Sequence, residues 1–366
     1  MSQQQLSVLI VDDSAAVRAA LSAIVKSDPG LTLFGSAGDP FQAVDLMRSD
    51  LPDVVLLDLE LPKMDGLAFL KRIMAQRPLP VVVCSSHTDS GSTSAMKALE
   101  LGAAEVLSKP RLDTPVARSE AAVRIGDALR AAVSSQPQQR KRVSLLSPGE
   151  KLTADVILPR LTPRPVPPTE PIVAIGASTG GTGALQTILT ALPASAPAIV
   201  VVQHMPEHFT RAFAQRLDSL CRIEVREAVD GDTPRAGLAL IAPGNHHMLL
   251  RRQGCQYRVG IVEGPYVGRH RPSVDVLYRS TAQAAGRNAL GIILTGMGDD
   301  GASGMAEMHA AGARTLAQDE ATSVVFGMPK EAVAAGGVDA VLPLQRFATE
   351  IEAHGASIRP AVRSAR

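Results

Sequence analysis

A chain of 366 residues exceeds one ordinary domain and predicts two. Its 45% hydrophobic content can bury sizeable cores, while a formal charge of +1 gives no bulk attraction to nucleic acid or anionic lipid. Trp is absent and aromatics make up 3%, which argues against stacking platforms for bases.

The three cysteines (Cys84, Cys221, Cys255) are widely spaced and form no CxxC pair, so they read as reduced thiols rather than a disulfide framework. The first residues, Met1-Ser2-Gln3-Gln4-Gln5, lack the basic patch and apolar core of a signal peptide. No apolar run reaches the length of a membrane span. These features predict a soluble cytoplasmic α/β protein without membrane insertion or nucleic-acid binding. A monomer is the expected state, though nothing in the sequence fixes it.

In chain order, residues 7–11, 54–57 and 81–84 are short and apolar throughout, as strands buried on both faces are. Amphipathic stretches at 15–25 and 67–75 lie between them, and 115–133 reads as a closing helix with Pro115 in its first turn. This alternation predicts a parallel sheet flanked by helices over residues 1–133. Asp12 and Asp13, Asp58, Ser85 and Lys109 fall at the ends of strand-like runs. Clustered carboxylates suit Mg²⁺, which takes hard oxygen ligands and bridges to phosphate. One such aspartate alone reads better as a helix cap. Together with a lysine and a serine, the set describes an aspartate able to take a phosphoryl group.

Residues 134–170 change character. Ser134 to Arg142 is polar and ends in Arg140-Lys141-Arg142, which reads as solvated charge rather than a docking spot. Pro159, Pro163, Pro165, Pro167 and Pro168 follow, predicting a semi-rigid linker. The α/β alternation resumes over 171–350, leaving 351–366 as a tail.

Within that second domain three polar signatures each follow an apolar run. Ser178 follows 172–175, His204 follows 198–202, and Asp299-Asp300 follow 289–294. In an open parallel sheet the ligand crevice lies beyond the carboxyl ends of the strands, so three such ends bring three side chains together. Serine, histidine and aspartate there make a nucleophile, its base and the base's orienter. Gly176-Ala177-Ser178-Thr179-Gly180 fits G-x-S-x-G ahead of a helical stretch at 184–192. Thr182 stands where a Walker A loop needs lysine, and no G-x-G-x-x-G is present around Gly181 and Gly183. The order serine, histidine, acid also departs from that of α/β-hydrolases. His208, His246, His247, His270 and His309 end no strand-like run, although the turn at 243–248 could line the crevice. The His246-His247 pair lacks the spacing of a helical zinc pair, so no metal is expected in this domain.

Residues 6–130 resemble a response-regulator receiver domain, through Val11-Asp12-Asp13-Ser14, Asp58 with Leu61-Pro62-Lys63-Met64-Asp65-Gly66, and Ser108-Lys109-Pro110. The resemblance implies a flavodoxin-like (βα)5 fold, with Asp58 as phosphoacceptor and Asp12, Asp13 and Asp58 as Mg²⁺ ligands. It also implies Ser85 as switch hydroxyl and Lys109 as phosphate partner. The position three before the lysine, aromatic in many receivers, is Val106 here.

Residues 171–345 resemble the chemotaxis protein-glutamate methylesterases (the CheB family). The strings are 176–181, Gln203-His204-Met205-Pro206, Ala242-Pro243-Gly244, Arg271-Pro272-Ser273-Val274-Asp275, 294–301, and Gln318-Asp319-Glu320 through Phe326-Gly327-Met328-Pro329. The receiver–linker–esterase order is that family's too. The resemblance implies a doubly wound, mostly parallel α/β catalytic domain that hydrolyses γ-glutamyl methyl esters and deamidates glutamines on chemoreceptors. It further implies Ser178, His204 and Asp300 as the triad, since the family aspartate directly precedes the glycine, and the Met297 amide as an oxyanion donor. A CheA-type histidine kinase is the implied phosphodonor, with no cofactor in the catalytic domain. A scaffold without activity, a DNA-binding regulator and a generic serine esterase are the competing readings. The intact serine, histidine and aspartate, the lack of a basic recognition face, and the triad order respectively weigh against them.

Overall fold

The computed structural model describes residues 5–48, 50–85, 89–110, 114–134, 151–162, 166–167, 169–207 and 209–358. The chain divides into two units, Met1–Glu150 and Lys151–Arg366. His208, the Arg140-Lys141-Arg142 triplet, Pro163, Pro165, Pro168 and residues 359–366 lie outside the described residues.

The first unit alternates β1 (Leu6–Val11), α1 (Ala15–Ser27), β2 (Leu31–Ala37), α2 (Pro40–Leu46), β3 (Val54–Leu57), α3 (Gly66–Gln76), β4 (Val81–Ser85), α4 (Asp89–Glu100), β5 (Glu105–Ser108) and α5 (Pro115–Ser134). Its strands form a parallel sheet in the order β2-β1-β3-β4-β5. The order reverses between β1 and β3, so the crevice of this sheet opens above the ends of those two strands. Val54, Val55, Leu56 and Leu57 are all buried, which explains a run with no polar alternation. Local caps start the helices where the sequence turns polar: Ser14 accepts from Val17 N–H, and Asp39 accepts from Phe41 and Gln42 N–H.

The second unit runs β6 (Ile172–Ala177), α6 (Gly181–Ala191), β7 (Ala198–Gln203), α7 (Phe209–Asp218), β8 (Glu224–Glu227), β9 (Leu238–Ile241), β10 (His247–Gln253), β11 (Gln256–Val262), α8 (Val274–Ala285), β12 (Ala289–Ile293), α9 (Ala302–Ala310), β13 (Arg314–Gln318), α10 (Met328–Ala334), β14 (Ala340–Leu342) and α11 (Phe347–Ile358). The sheet order is β14-β13-β12-β6-β7-β9-β8, parallel throughout. β10 and β11 form a separate antiparallel hairpin. Every residue of β6, β7 and β12 is buried. Burying a Val, Leu or Ile side chain contributes about 1.5–3 kcal/mol, so these central strands are the firm base of the site.

Two expected boundaries move. The linker does not run to residue 170 as a free spacer, because its later part packs on the second unit. Gly268 N–H donates to Leu152 O (2.9 Å), and the buried Arg279 side chain donates to Asp155 Oδ1 (2.8 Å) and Leu158 O (3.0 Å). Nor does a tail begin at 351: helix α11 crosses that position, with Phe347 and Ile351 fully buried. In both segments a few apolar side chains seat the chain despite proline-rich or polar surroundings.

Candidate active site and phosphoacceptor pocket

In the first unit the strand ends assemble an acid pocket. Asp12 follows β1, Asp58 follows β3, Ser85 ends β4 and Lys109 follows β5. The Lys109 ammonium lies 2.7 Å from Asp58 Oδ2 and 3.0 Å from Asp12 Oδ2. One oxygen from each of Asp12, Asp13 and Asp58 lies within 4.8 Å of the others. Three hard oxygen donors against one ammonium leave an excess of negative charge that a divalent cation such as Mg²⁺ fits. Burial pushes the Asp58 carboxyl above its ordinary value, and the hydrogen bond and charge of Lys109 offset only part of that. Burial opposes the Lys109 charge, yet Asp58 and Asp12 hold the ammonium above the ordinary amine value. Ser85 Oγ is buried and has no hydrogen-bond partner among the described residues, so this hydroxyl has capacity for a phosphoryl oxygen. Val106 is buried in the sheet's last strand.

In the second unit β6, β7 and β12 are adjacent, and their carboxyl ends carry Ser178, His204 and the 295–301 loop. Ser178 N–H donates to Thr295 O (3.0 Å), and His204 N–H donates to Ala177 O (3.0 Å), tying the three ends together. Ser178 O in turn accepts from Gly181 N–H (2.7 Å) and Gln203 Nε2 (2.9 Å). The turn after the serine needs a left-handed residue, and Gly180 supplies it at φ +79°.

His204 Nε2 lies 2.7 Å from Asp300 Oδ2. Asp300 is buried and takes three more donors: Ser273 Oγ–H (2.8 Å), Val274 N–H (2.8 Å) and Asp275 N–H (3.1 Å). Those two amides open helix α8, so the carboxylate sits where the helix dipole favours negative charge. Burial alone would favour the neutral acid, but the hydrogen bond and charge of His204, then His270 and the Val274 amide, hold Asp300 down at about 2. An ionised carboxylate only accepts, so His204 Nε2 carries the proton and Nδ1 is the basic atom. His204 Nδ1 is buried and has no hydrogen-bond partner among the described residues.

The neighbouring Asp299 behaves differently. Its half-exposed carboxylate pairs with Lys151 Nζ at 2.6 Å. Of the two adjacent aspartates, only Asp300 reaches the imidazole among the described contacts.

Several site residues escape a reading of strand ends. His270 ends no strand, yet its ring stacks on His204 with centroids 3.6 Å apart and planes 5° apart. His247 is fully buried; its Nε2 donates to Pro265 O (2.9 Å), leaving Nδ1 to accept from Ser273 N–H (3.2 Å). Burial lowers its pKa, consistent with a neutral ring. His246 bonds locally to Gly244 O (3.2 Å), and His309 pairs with Asp339 (3.1 Å), so neither reaches Asp300 through a described contact. Thr295 is a further hidden support: its N–H donates to Gln318 Oε1 (2.8 Å) and its hydroxyl donates to Thr179 O (2.9 Å). Ser273 lies within the quoted string Arg271-Pro272-Ser273-Val274-Asp275, and His270 lies directly before it.

Residues 173–351 match the CheB methylesterase family, and residues 8–117 match the response regulator receiver domain. A protein-glutamate methylesterase/protein-glutamine glutaminase of the group 3 operon in Cereibacter sphaeroides is 61% identical over 353 residues, covering 95% of each chain. The chain belongs to the protein-glutamate methylesterase/protein-glutamine glutaminase family. Protein-glutamate methylesterase/protein-glutamine glutaminase 2 of Rhodospirillum rubrum is 55% identical, covering 95% of this chain and 98% of the relative. The catalytic domain of the Thermotoga maritima CheB methylesterase is similar in structure, with 38% identity and a TM-score of 0.50 over 50% of this chain and 98% of that one. This family member thus pairs a receiver with a methylesterase-type domain, and both strand-end clusters fall inside the matched segments.

Proposed function

We propose that this methylesterase-family protein is a phosphorylation-activated hydrolase of γ-glutamyl methyl esters, and of glutamine amides, on chemoreceptor cytoplasmic segments. The observation that carries the reading is the imidazole whose Nε2 is held by a four-donor carboxylate while its Nδ1 is left unpaired, at the strand end beside Ser178. Ser178 Oγ attacks the γ-carbonyl carbon, and its proton passes to His204 Nδ1. Asp300 stays ionised and stabilises the imidazolium. The Met297 amide receives the oxyanion; one such donor is worth about 3 kcal/mol in acyl transfer. The C–O bond to the methoxy group breaks, and His204 returns the proton to give methanol. Water then gives a proton to the same Nδ1 and attacks the acyl carbon. The bond to Ser178 Oγ breaks, His204 returns that proton to Oγ, and glutamate is released. With glutamine as substrate, ammonia departs in place of methanol.

Control runs through Asp58. A histidine kinase of the CheA type supplies the phosphoryl group. Asp12, Asp13 and Asp58 would hold Mg²⁺, which would supply positive charge against the phosphoryl oxygens. Lys109 then pairs with the phosphoryl oxygens and Ser85 donates to one of them. Without phosphate the receiver restrains the catalytic domain, and about two added negative charges bias that restraint toward release. Working in the cytoplasm on receptors is consistent with a structure in which no helix among the described residues is long and apolar enough to cross a membrane. The test is methanol release from methylated receptor fragments: Ser178→Ala abolishes it under this reading, and full release by that variant contradicts it.

A further inference from the structure

The helices α8 and α9 exchange caps. The residue before α8, Ser273, makes no side-chain cap to its own helix and donates its hydroxyl to Asp300 instead. Asp300 accepts from Val274 and Asp275 N–H and so caps α8 from the other chain segment. Helix α9 is preceded by its N-cap Gly301, which has φ +97° and no side chain to offer. Its missing cap comes from α8. Asp275 Oδ1 accepts from Gly304 N–H at 2.7 Å, and the Gly301 backbone N–H also donates to this carboxylate. Each helix thereby supplies what the other lacks. The loop bearing Asp300 is fixed on its far side by Asp275.

We infer that Asp275 is a positioning residue for the hydrolysis: its carboxylate clamps the Gly301–Gly304 turn and so holds Asp300 on His204. This inference rests on the reading of Asp300 as the orienting carboxylate. Asp275 touches neither substrate nor His204 in the described contacts; it acts through Asp300. The clamp also places two carboxyl groups side by side. Burial, then the charge of Asp300, pushes the Asp275 carboxyl up to about 7, with Asp299 adding in the same direction and the Gly304 and Gly301 amides opposing. The other charged groups on packed elements are engaged elsewhere. Glu307 of α9 is held by Arg279, whose Nη1 also reaches Asp155, and His247 of β10 is held by Pro265 and Ser273.

The test uses full-length protein and methylated receptor fragments, with Ser178→Ala measured in parallel. Asp275→Ala removes the clamp and is expected to lower kcat by about 10–100-fold with little change in KM, the effect of misplacing a catalytic group by a fraction of an ångström. Asp275→Asn keeps an oxygen for the two amides, so its kcat stays within a few-fold of the parent. A residue that only stabilised the fold would leave kcat of the folded Asp275→Ala protein at the parental value. That outcome overturns the inference, as does a kcat in folded Asp275→Asn as low as in Asp275→Ala. If Ser178→Ala retains full release, the underlying reading of the site fails instead, independently of either Asp275 variant.

Discussion

The two buried aspartates at strand ends, Asp58 and Asp300, are handled in opposite ways. Both are almost inaccessible. Asp300 receives four donors, two of them from a helix N-terminus, and is held down at about 2. Asp58 receives Lys109 and one long contact from Glu60 N–H (3.3 Å), and burial keeps its carboxyl above the ordinary value. Burial is common to both, so the donors decide the difference. A saturated carboxylate keeps a fixed charge and has no lone pair left for chemistry. An under-coordinated one retains capacity for a cation and a phosphoryl group. Under the proposed function, parallel strand ends serve an orienter in one unit and a phosphoacceptor in the other, by changing what surrounds the same functional group.

The proposed function breaks most visibly at Ser178, its proposed nucleophile. Ser178→Ala should reduce methanol release by about 10⁴-fold or more, measured on folded protein, because the nucleophile is lost outright. Asp300→Asn should follow, with a loss of about 10³–10⁴-fold in kcat, since an amide can present its NH₂ to the imidazole and favour the wrong tautomer. Asp58→Asn should leave basal release intact and abolish stimulation by acetyl phosphate. A stimulated rate in that variant would mean the acid pocket is not the control point. Removing the divalent cation with a chelator should likewise abolish stimulation in the parent while sparing its basal rate.

The smallest expected effect is on stability. Asp275 has a folded pKa of about 7, above the unfolded value, so the folded state holds more protons between roughly pH 4 and 7. Its contribution is neutral below that window and becomes a penalty as pH rises through it. The Tm of Asp275→Asn should therefore improve relative to the parent between pH 5 and pH 8. A constant difference across that range would show that folding does not raise the Asp275 carboxyl.

Much of this was legible in the sequence because both sites hang on the ends of short, all-apolar strands. Residues 54–57 and 172–175 announce buried parallel strands, and the polar residue that ends such a run faces the crevice by topology alone. The supporting residues were not legible for the converse reason. His270, Ser273 and Asp275 arrive through the approach to α8 and its crossing with α9, and no local period encodes that approach. Asp299 and Asp300 are adjacent, so spacing cannot separate them; the helix N-terminus that claims Asp300 does. The linker's later part misled through its prolines, since one arginine, Arg279, captures Asp155 and Leu158 from 121 and more residues away. The antiparallel β10–β11 hairpin likewise left no mark distinct from the surrounding α/β pattern.

The most direct test is methanol release from methylated receptor cytoplasmic fragments, with and without acetyl phosphate, for the parent, Ser178→Ala and Asp58→Asn proteins. The account predicts release that rises with phosphodonor in the parent, is absent in Ser178→Ala, and stays at its basal level in Asp58→Asn. Release that persists in Ser178→Ala, or no release by folded parent from a substrate that another methylesterase hydrolyses, would contradict it.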